Sequence, residues 1–216
     1  MSAAKKPAPK FEFVGGWLCL DFLNTINYAG ADQNERLKGY ADLVDWSQQV
    51  ELLAAFDVDR LLAEAERRPA DALNALQRAR DLRLMLHRLF SAVAFGHPPA
   101  GADVATLDGE LQAALARRHL VWTGDGFHWE WPTGAGDLHP MLPPLVWSAG
   151  ELLTSGQLAR LKRCSGDGCS WLFYDRSKNQ SRRWCMMAHC GNRAKARRHY
   201  ARRQERAENH EPPGET

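Results

Sequence analysis

The sequence predicts an α+β protein that is mainly helical, with small β-hairpins in a helical N-terminal domain and a treble-clef-like four-cysteine module after it. Apolar residues recur at helical spacing over most of residues 40–155, which is typical of amphipathic helices. An Asp-Gly turn between two alternating aromatic segments predicts a hairpin at residues 119–131. Four of the five cysteines fall within residues 164–190, which indicates a separate module. The predicted domains are residues 11–157 and 158–206, with flexible tails at residues 1–10 and 207–216.

The composition is that of an ordinary folded domain. The chain has 216 residues, of which 44% are hydrophobic and 25% are charged, so it offers enough apolar surface to exclude a disordered protein. No stretch approaches the roughly 20 consecutive apolar residues that a membrane-spanning helix needs. The basic leader is not followed by the apolar run of a secretory signal. We therefore expect a cytoplasmic protein that does not span a membrane.

The N-terminal domain begins with an apolar run that two glycines, Gly15 and Gly16, interrupt, and this predicts a short hairpin or strand–turn–strand. Helical periodicity starts after Gly39 and breaks near Asp57. Pro69 and the segment 96–101 supply stop signals for the helices that precede them. The predicted helices lie near residues 40–53, 59–67, 71–95, 103–118 and 138–155.

A ligand pocket in this domain is one of two interpretations of its polar and aromatic residues. Asp21, Asn24 and Thr25 end an apolar run, and they form either a shared hydrogen-bonding site or a helix cap. Trp129 and Trp147 either line a pocket for a small effector or belong to the core, and the core is the more common role for such residues. The domain could therefore be an effector sensor or a scaffold for a homodimer.

The spacing of the clustered cysteines predicts a metal centre. Cys164 and Cys169 form one C-x4-C pair, and Cys185 and Cys190 form a second pair fifteen residues later. Two such pairs in a cytoplasmic chain are typical of zinc ligands rather than disulfides. Four thiolates fill the coordination sphere of one structural Zn²⁺, so no position remains for catalysis and we expect no enzyme activity.

Within this module, residues 171–175 alternate like a strand, and residues 182–184 are expected to pair with it after a turn. A helix is predicted from Gly191 to Gln204, with Asn192 as its N-cap.

The charge distribution separates a basic module from an acidic body. Residues 160–206 contain 14 basic and 3 acidic residues, a net charge of +11, whereas the rest of the chain carries −9. The final helix has too few apolar residues to pack as an ordinary globular helix, so it is either a polyanion-binding element or a charged face that is solvated or docked on the acidic body. The candidate nucleic-acid contacts are Arg182, Arg183, Arg193, Lys195, Arg197, Arg198, Arg202 and Arg203.

The module resembles the bacterial CGNR zinc finger, whose signature is matched by Cys190-Gly191-Asn192-Arg193 and by the preceding Leu172-Phe173, Asp175 and Arg182-Arg183-Trp184-Cys185. The segment from Gly15 to Thr25 is similar to the start of the ABATE domain, and together the two resemblances cover roughly residues 11–203. They imply a zinc-dependent, stress-induced transcription regulator that binds double-stranded DNA. The alternative is an RNA- or protein-binding adaptor in which zinc is purely structural.

Overall fold

The computed structural model describes residues 10–29, 34–134 and 136–208. It is about 55% helical with two small antiparallel hairpins, which confirms the predicted mainly helical α+β class. Most of the predicted leader and C-terminal tail lies outside the described residues. None of the helices in the described ranges is both long enough and apolar enough to cross a membrane.

Seven α-helices and four short strands follow one another in the described residues. The helices are α1 (Leu18–Leu23), α2 (Tyr40–Gln49), α3 (Ala55–Arg67), α4 (Pro69–Ala94), α5 (Gly101–Ala116), α6 (Leu142–Thr154) and α7 (Asn192–Glu208). The strands are β1 (His119–Trp122), β2 (Phe127–Glu130), β3 (Leu161–Arg163) and β4 (Leu172–Tyr174). Strand β1 pairs with β2 across the Asp-Gly turn, as predicted, and β3 pairs with β4.

The predicted hairpin at the start of the domain is wrong. The described residues 11–17 contain no strand, and helix α1 follows them directly. The Asp21 carboxylate in the first turn of α1 accepts a hydrogen bond from the Gly15 amide at 2.7 Å. Gly16 has a φ of 81°, a left-handed conformation that glycine adopts without strain. The two glycines therefore fold the chain back onto the beginning of a helix instead of turning one strand into another.

A single large core joins the helices to the second hairpin. Phe22, Trp46 and Phe90 are fully buried at its centre, on α1, α2 and α4. The same core contains Leu161 of β3 and Leu172 of β4. The C-terminal module therefore packs against the helical body through the apolar side chains of its own strands.

The predicted pairing within the module is also wrong. Strand β4 pairs with β3, with Lys162 opposite Phe173, and not with residues 182–184. The first cysteine pair lies in the loop between β3 and β4, so this hairpin closes around the metal ligands. Residues 182–184 cross that loop without forming a strand, and the Ser165 amide donates to the Arg183 carbonyl at 2.8 Å.

Candidate metal centre and nucleic-acid interface

The four predicted ligands converge on one buried point. Cys164 and Cys169 come from the loop between β3 and β4. Cys185 precedes a π-helical turn at Met187–Gly191, and Cys190 lies within that turn. All four sulfurs lie within 4.8 Å of one another. Two of the sulfur pairs, Cys169–Cys185 and Cys185–Cys190, are 3.8 and 3.7 Å apart.

These distances fit a tetrahedral zinc centre. Bonds of about 2.3 Å in a tetrahedron place neighbouring sulfurs about 3.8 Å apart, whereas a disulfide would require about 2.05 Å. The four cysteines are therefore the ligands of one structural zinc ion. Such an ion clamps the two loops together, and its four thiolates exclude a bound water.

The chemistry of the donor set also calls for a cation. The side-chain hydrogen bond from Cys169 lowers the pKa of the Cys164 thiol, and backbone amides at Cys185 (3.3 Å) and Gly166 (3.4 Å) also donate to its sulfur. The same contact with Cys164 raises the pKa of Cys169 to about 12. Four thiols this close cannot all lose their protons without a cation, because the negative charges of neighbouring thiolates repel one another. A divalent ion removes this conflict.

The first cysteine loop leaves no room for a side chain at Gly166. A Cβ atom there would lie 2.9 Å from both Cβ and Sγ of Cys190. The Arg193 guanidinium donates to the Cys190 sulfur at 3.6 Å, so a positive charge faces the formally negative thiolate cluster.

Asp175 anchors the segment that leads to the second ligand pair. Its buried carboxylate accepts hydrogen bonds from Lys162 Nζ (2.8 Å), the Ser177 amide (2.9 Å) and the Arg182 amide (3.0 Å). Burial alone would raise the pKa of Asp175, but these hydrogen bonds hold it well below its usual range. The family resemblance drew attention to this residue, but the sequence did not indicate its partners.

The helical body fixes the first cysteine loop through two asparagine side chains. Asn24 donates to the Leu172 carbonyl (2.9 Å) and accepts from the Leu172 amide (3.0 Å), so it pairs with β4 as a neighbouring strand would. Asn27 donates to the Gly168 carbonyl (2.7 Å) and accepts from the Ser170 amide (2.8 Å). The metal centre is therefore attached rigidly to the N-terminal domain.

The five residues proposed for a ligand pocket do not line one cavity. Asn24 contacts β4, and Thr25 is buried, donating to the Phe22 carbonyl and accepting from Arg83. The Arg118 guanidinium lies 4.1 Å from the ring centre of Trp129 and 3.7 Å from that of Trp147. The polar residues join two parts of the chain, and the tryptophans form a separate aromatic cluster.

Helix α7 follows the second ligand pair without a separate cap. The π-helical turn Met187–Gly191 leads directly into it, so Asn192 is not an N-cap, and its side chain donates back to the Ala188 carbonyl at 3.2 Å. The zinc ligand Cys190 lies within this turn. The position of the helix therefore depends on the metal centre.

The basic side chains of α7 are largely uncovered. Every residue from Lys195 to Glu205 is exposed. Lys195, Arg198 and Arg202 are spaced i, i+3 and i+7 and share one face of the helix. Among the described residues, the acidic partner of this helix is Asp167, which pairs with Arg197.

The two arginines that precede Cys185 differ in role. Arg182 donates to the backbone carbonyls of Val14 (2.9 Å) and Trp184 (3.1 Å), and its guanidinium lies 4.2 Å from the centre of the Phe173 ring. Arg183 is exposed and lines a groove of about 430 Å³ beside α7. The Arg182 side chain is thus held by contacts within the chain, whereas the exposed Arg183 side chain is accessible to a ligand.

The ABATE family model, described as "Putative stress-induced transcription regulator", matches residues 16–156. This chain belongs to the ABATE family. A CGNR zinc finger matches residues 160–203 and follows the ABATE domain as the sequence resemblance implied. Neither description names a catalytic activity. No curated protein matches the chain.

Proposed function

We propose that this ABATE-family chain is a transcription regulator that binds double-stranded DNA through α7, with the zinc centre holding that helix in place. The observation that carries the proposal is the exposure of a cationic helix next to a rigid, body-attached metal centre. Lys195, Arg198 and Arg202 would contact consecutive phosphates from one helix face. Arg183 and Arg197 would contact the flanking backbone from the adjoining groove.

The charge distribution supports this arrangement. If the acidic body served to neutralise α7, ion pairs between the two would be expected, but within the part of the chain that the structure describes the acidic partner of the helix is Asp167, in the finger itself. Both side chains of that pair are exposed, and such pairs contribute only about 0 to 1 kcal/mol. Arg197 can therefore exchange Asp167 for a phosphate at little cost. The negative body would repel DNA and leave the finger as the side that approaches it.

The aromatic residues of the finger favour DNA over single-stranded RNA. RNA-binding modules commonly stack bases on exposed aromatic side chains. Trp171, Phe173 and Tyr174 are buried, and Trp184 is half-buried. These four therefore serve the core of the module. Tyr200 on α7 is 65% exposed, but one aromatic side chain does not form a stacking platform for successive bases. A four-thiolate zinc centre also needs reduced thiols, which the cytoplasm maintains, and we propose that the protein acts there.

The test is the affinity of the zinc-loaded full chain for a fluorescently labelled DNA duplex, measured by anisotropy at several salt concentrations. We expect Arg198→Ala/Arg202→Ala to bind at least about tenfold more weakly, with a log–log salt slope about 1.8 less steep, because about 0.9 is lost with each phosphate contact. The control Arg67→Ala/Arg68→Ala removes the same charge from the body and should leave both quantities unchanged.

Equal affinity and slope for the α7 variant and the wild type would overturn the proposal. Zinc content must be equal in all samples, so that loss of binding reports on the arginines and not on the fold. Displacement of the duplex by structured RNA at lower concentration than by unlabelled duplex would assign the helix to RNA and contradict the DNA assignment.

A further inference from the structure

The β1–β2 hairpin presents an apolar face to solvent. The register places Leu120 opposite Trp129 and Trp122 opposite Phe127, so these four side chains share one face of the two-stranded sheet. They are between 51% and 71% exposed. A two-stranded sheet of this size is marginally stable alone, and a polar face would be expected if solvent were its permanent environment.

The hairpin is mounted rigidly on the body and is not a mobile loop. The Arg118 guanidinium, just before β1, lies 3.7 Å from the ring centre of Trp147 on α6 and 4.1 Å from that of Trp129. Trp131, just after β2, donates its indole N–H to the Ala114 carbonyl at 3.1 Å. At the tip, the Thr123 hydroxyl donates to the Asp125 carboxylate at 2.7 Å. The apolar face is therefore held in a fixed position.

The apolar surface continues from the hairpin into the body. A groove of about 420 Å³ at the hairpin's base is lined mainly by apolar side chains, among them Trp17, Trp131 and Trp147, and also by the charged side chains of Glu151 and Arg176. The chain thus carries a projecting apolar face and, next to it, a largely apolar groove.

The size of this surface approaches what a dimer requires. At roughly 200 Å² for each fully exposed large apolar side chain, the exposed fractions of the four residues correspond to roughly 470 Å² per copy. Two copies would then bury about 940 Å² before the grooves are counted, close to the roughly 1,000 Å² that is the lower limit for a specific interface. A patch of about this size is the largest that a typical soluble monomer exposes, and such patches are often functional.

We propose that the hairpin face, formed by Leu120, Trp122, Phe127 and Trp129, is the interface of a two-fold symmetric homodimer. Each copy contributes the same face, as a two-fold interface requires. The interface involves neither the zinc ligands nor α7, so the proposal does not depend on DNA binding. In the dimer, two zinc fingers are held at a fixed separation.

Sedimentation velocity of the zinc-loaded full chain, over roughly 1 to 100 µM, tests this proposal in the range where interfaces of minimal size dissociate. We expect the wild type to approach twice the chain mass of 24.3 kDa. Trp122→Ser/Phe127→Ser should remain monomeric throughout. The control Phe56→Ser/Leu73→Ser also removes two exposed apolar side chains, from α3 and α4, and should dimerise like the wild type.

A pair of charge variants tests the location of the interface. Leu120 pairs with Trp129 on the face, so Leu120→Arg and Leu120→Glu should each be monomeric, whatever the sign of the added charge. Circular dichroism and zinc content verify that each variant is folded. A wild type that is monomeric over the whole range, or a Trp122→Ser/Phe127→Ser variant that still dimerises, would overturn the proposal. A monomer that cosediments with phosphatidylcholine vesicles through this hairpin would assign the face to lipid and would also overturn it.

Discussion

Asn24 offers a direct test of how the zinc module is attached to the body. The residue is 1% exposed, and its amide satisfies both the N–H and the carbonyl of Leu172. In Asn24→Ala both backbone groups lose their partner inside the protein. Each buried polar group left without a hydrogen bond costs about 1 to 3 kcal/mol, so we expect the free energy of unfolding to fall by about 2 to 6 kcal/mol. This is a large share of the about 5 to 15 kcal/mol that stabilises a typical domain.

Urea unfolding at a fixed free zinc concentration, followed by tryptophan fluorescence, measures this change. The matched control is Asn74→Ala on α4, where the asparagine is exposed and the expected change is within about 0.5 kcal/mol. Hydrogen exchange adds a local measurement, because the Leu172 amide should lose protection in Asn24→Ala and keep it in Asn74→Ala. Equal stability of the two variants, with the Leu172 amide still protected, would refute the pairing of Asn24 with β4.

Two other perturbations address the metal loop and the start of α1. Gly166→Ala should weaken zinc binding about tenfold in competition with a chromogenic chelator, because the added Cβ would lie 2.9 Å from Cys190. The control is Gly109→Ala, which has open space around it and should bind zinc like the wild type. Equal zinc affinities for the two variants would contradict the steric argument. Burial raises the pKa of Asp21 from 3.8 to about 6, so the native state binds more protons than the unfolded chain in this interval and the free energy of unfolding should fall as pH rises from about 4 to about 6. Asp21→Asn should lack this component, and parallel pH profiles for the two proteins would show that the carboxyl is not perturbed.

The metal centre was predictable from the sequence because its signal is local and chemical. Each C-x4-C pair defines two ligands, and thiols at this spacing in a reduced compartment have few other uses. The exposure of α7 was also foreseeable, since a helix with so few apolar residues has little to bury. The hairpin at residues 119–131 was clear because its turn and its alternation agree.

The contacts that join the module to the body were not predictable. Asn24 and Leu172 are 148 residues apart, and nothing in the sequence around either residue identifies the other. Strand β3 has three residues, too few for its alternation to distinguish it from a loop. The segment before α1 was interpreted as a hairpin because the two glycines indicate a turn equally well before a strand or a helix. The hydrogen bond from the Gly15 amide to the Asp21 carboxylate, which the sequence does not reveal, is what distinguishes the start of a helix from a hairpin here.

If the zinc centre positions α7 for DNA, duplex binding must depend on zinc, and this dependence can be measured directly. Labelled duplex DNA is titrated with the full chain in its zinc-loaded form, after removal of the metal by a chelator, and after return of one equivalent of zinc. We expect binding in the first state, at least a tenfold loss in the second and recovery in the third, because Cys190 lies in the turn that leads directly into α7. Metal-free protein that binds the duplex with unchanged affinity and salt slope would contradict this expectation.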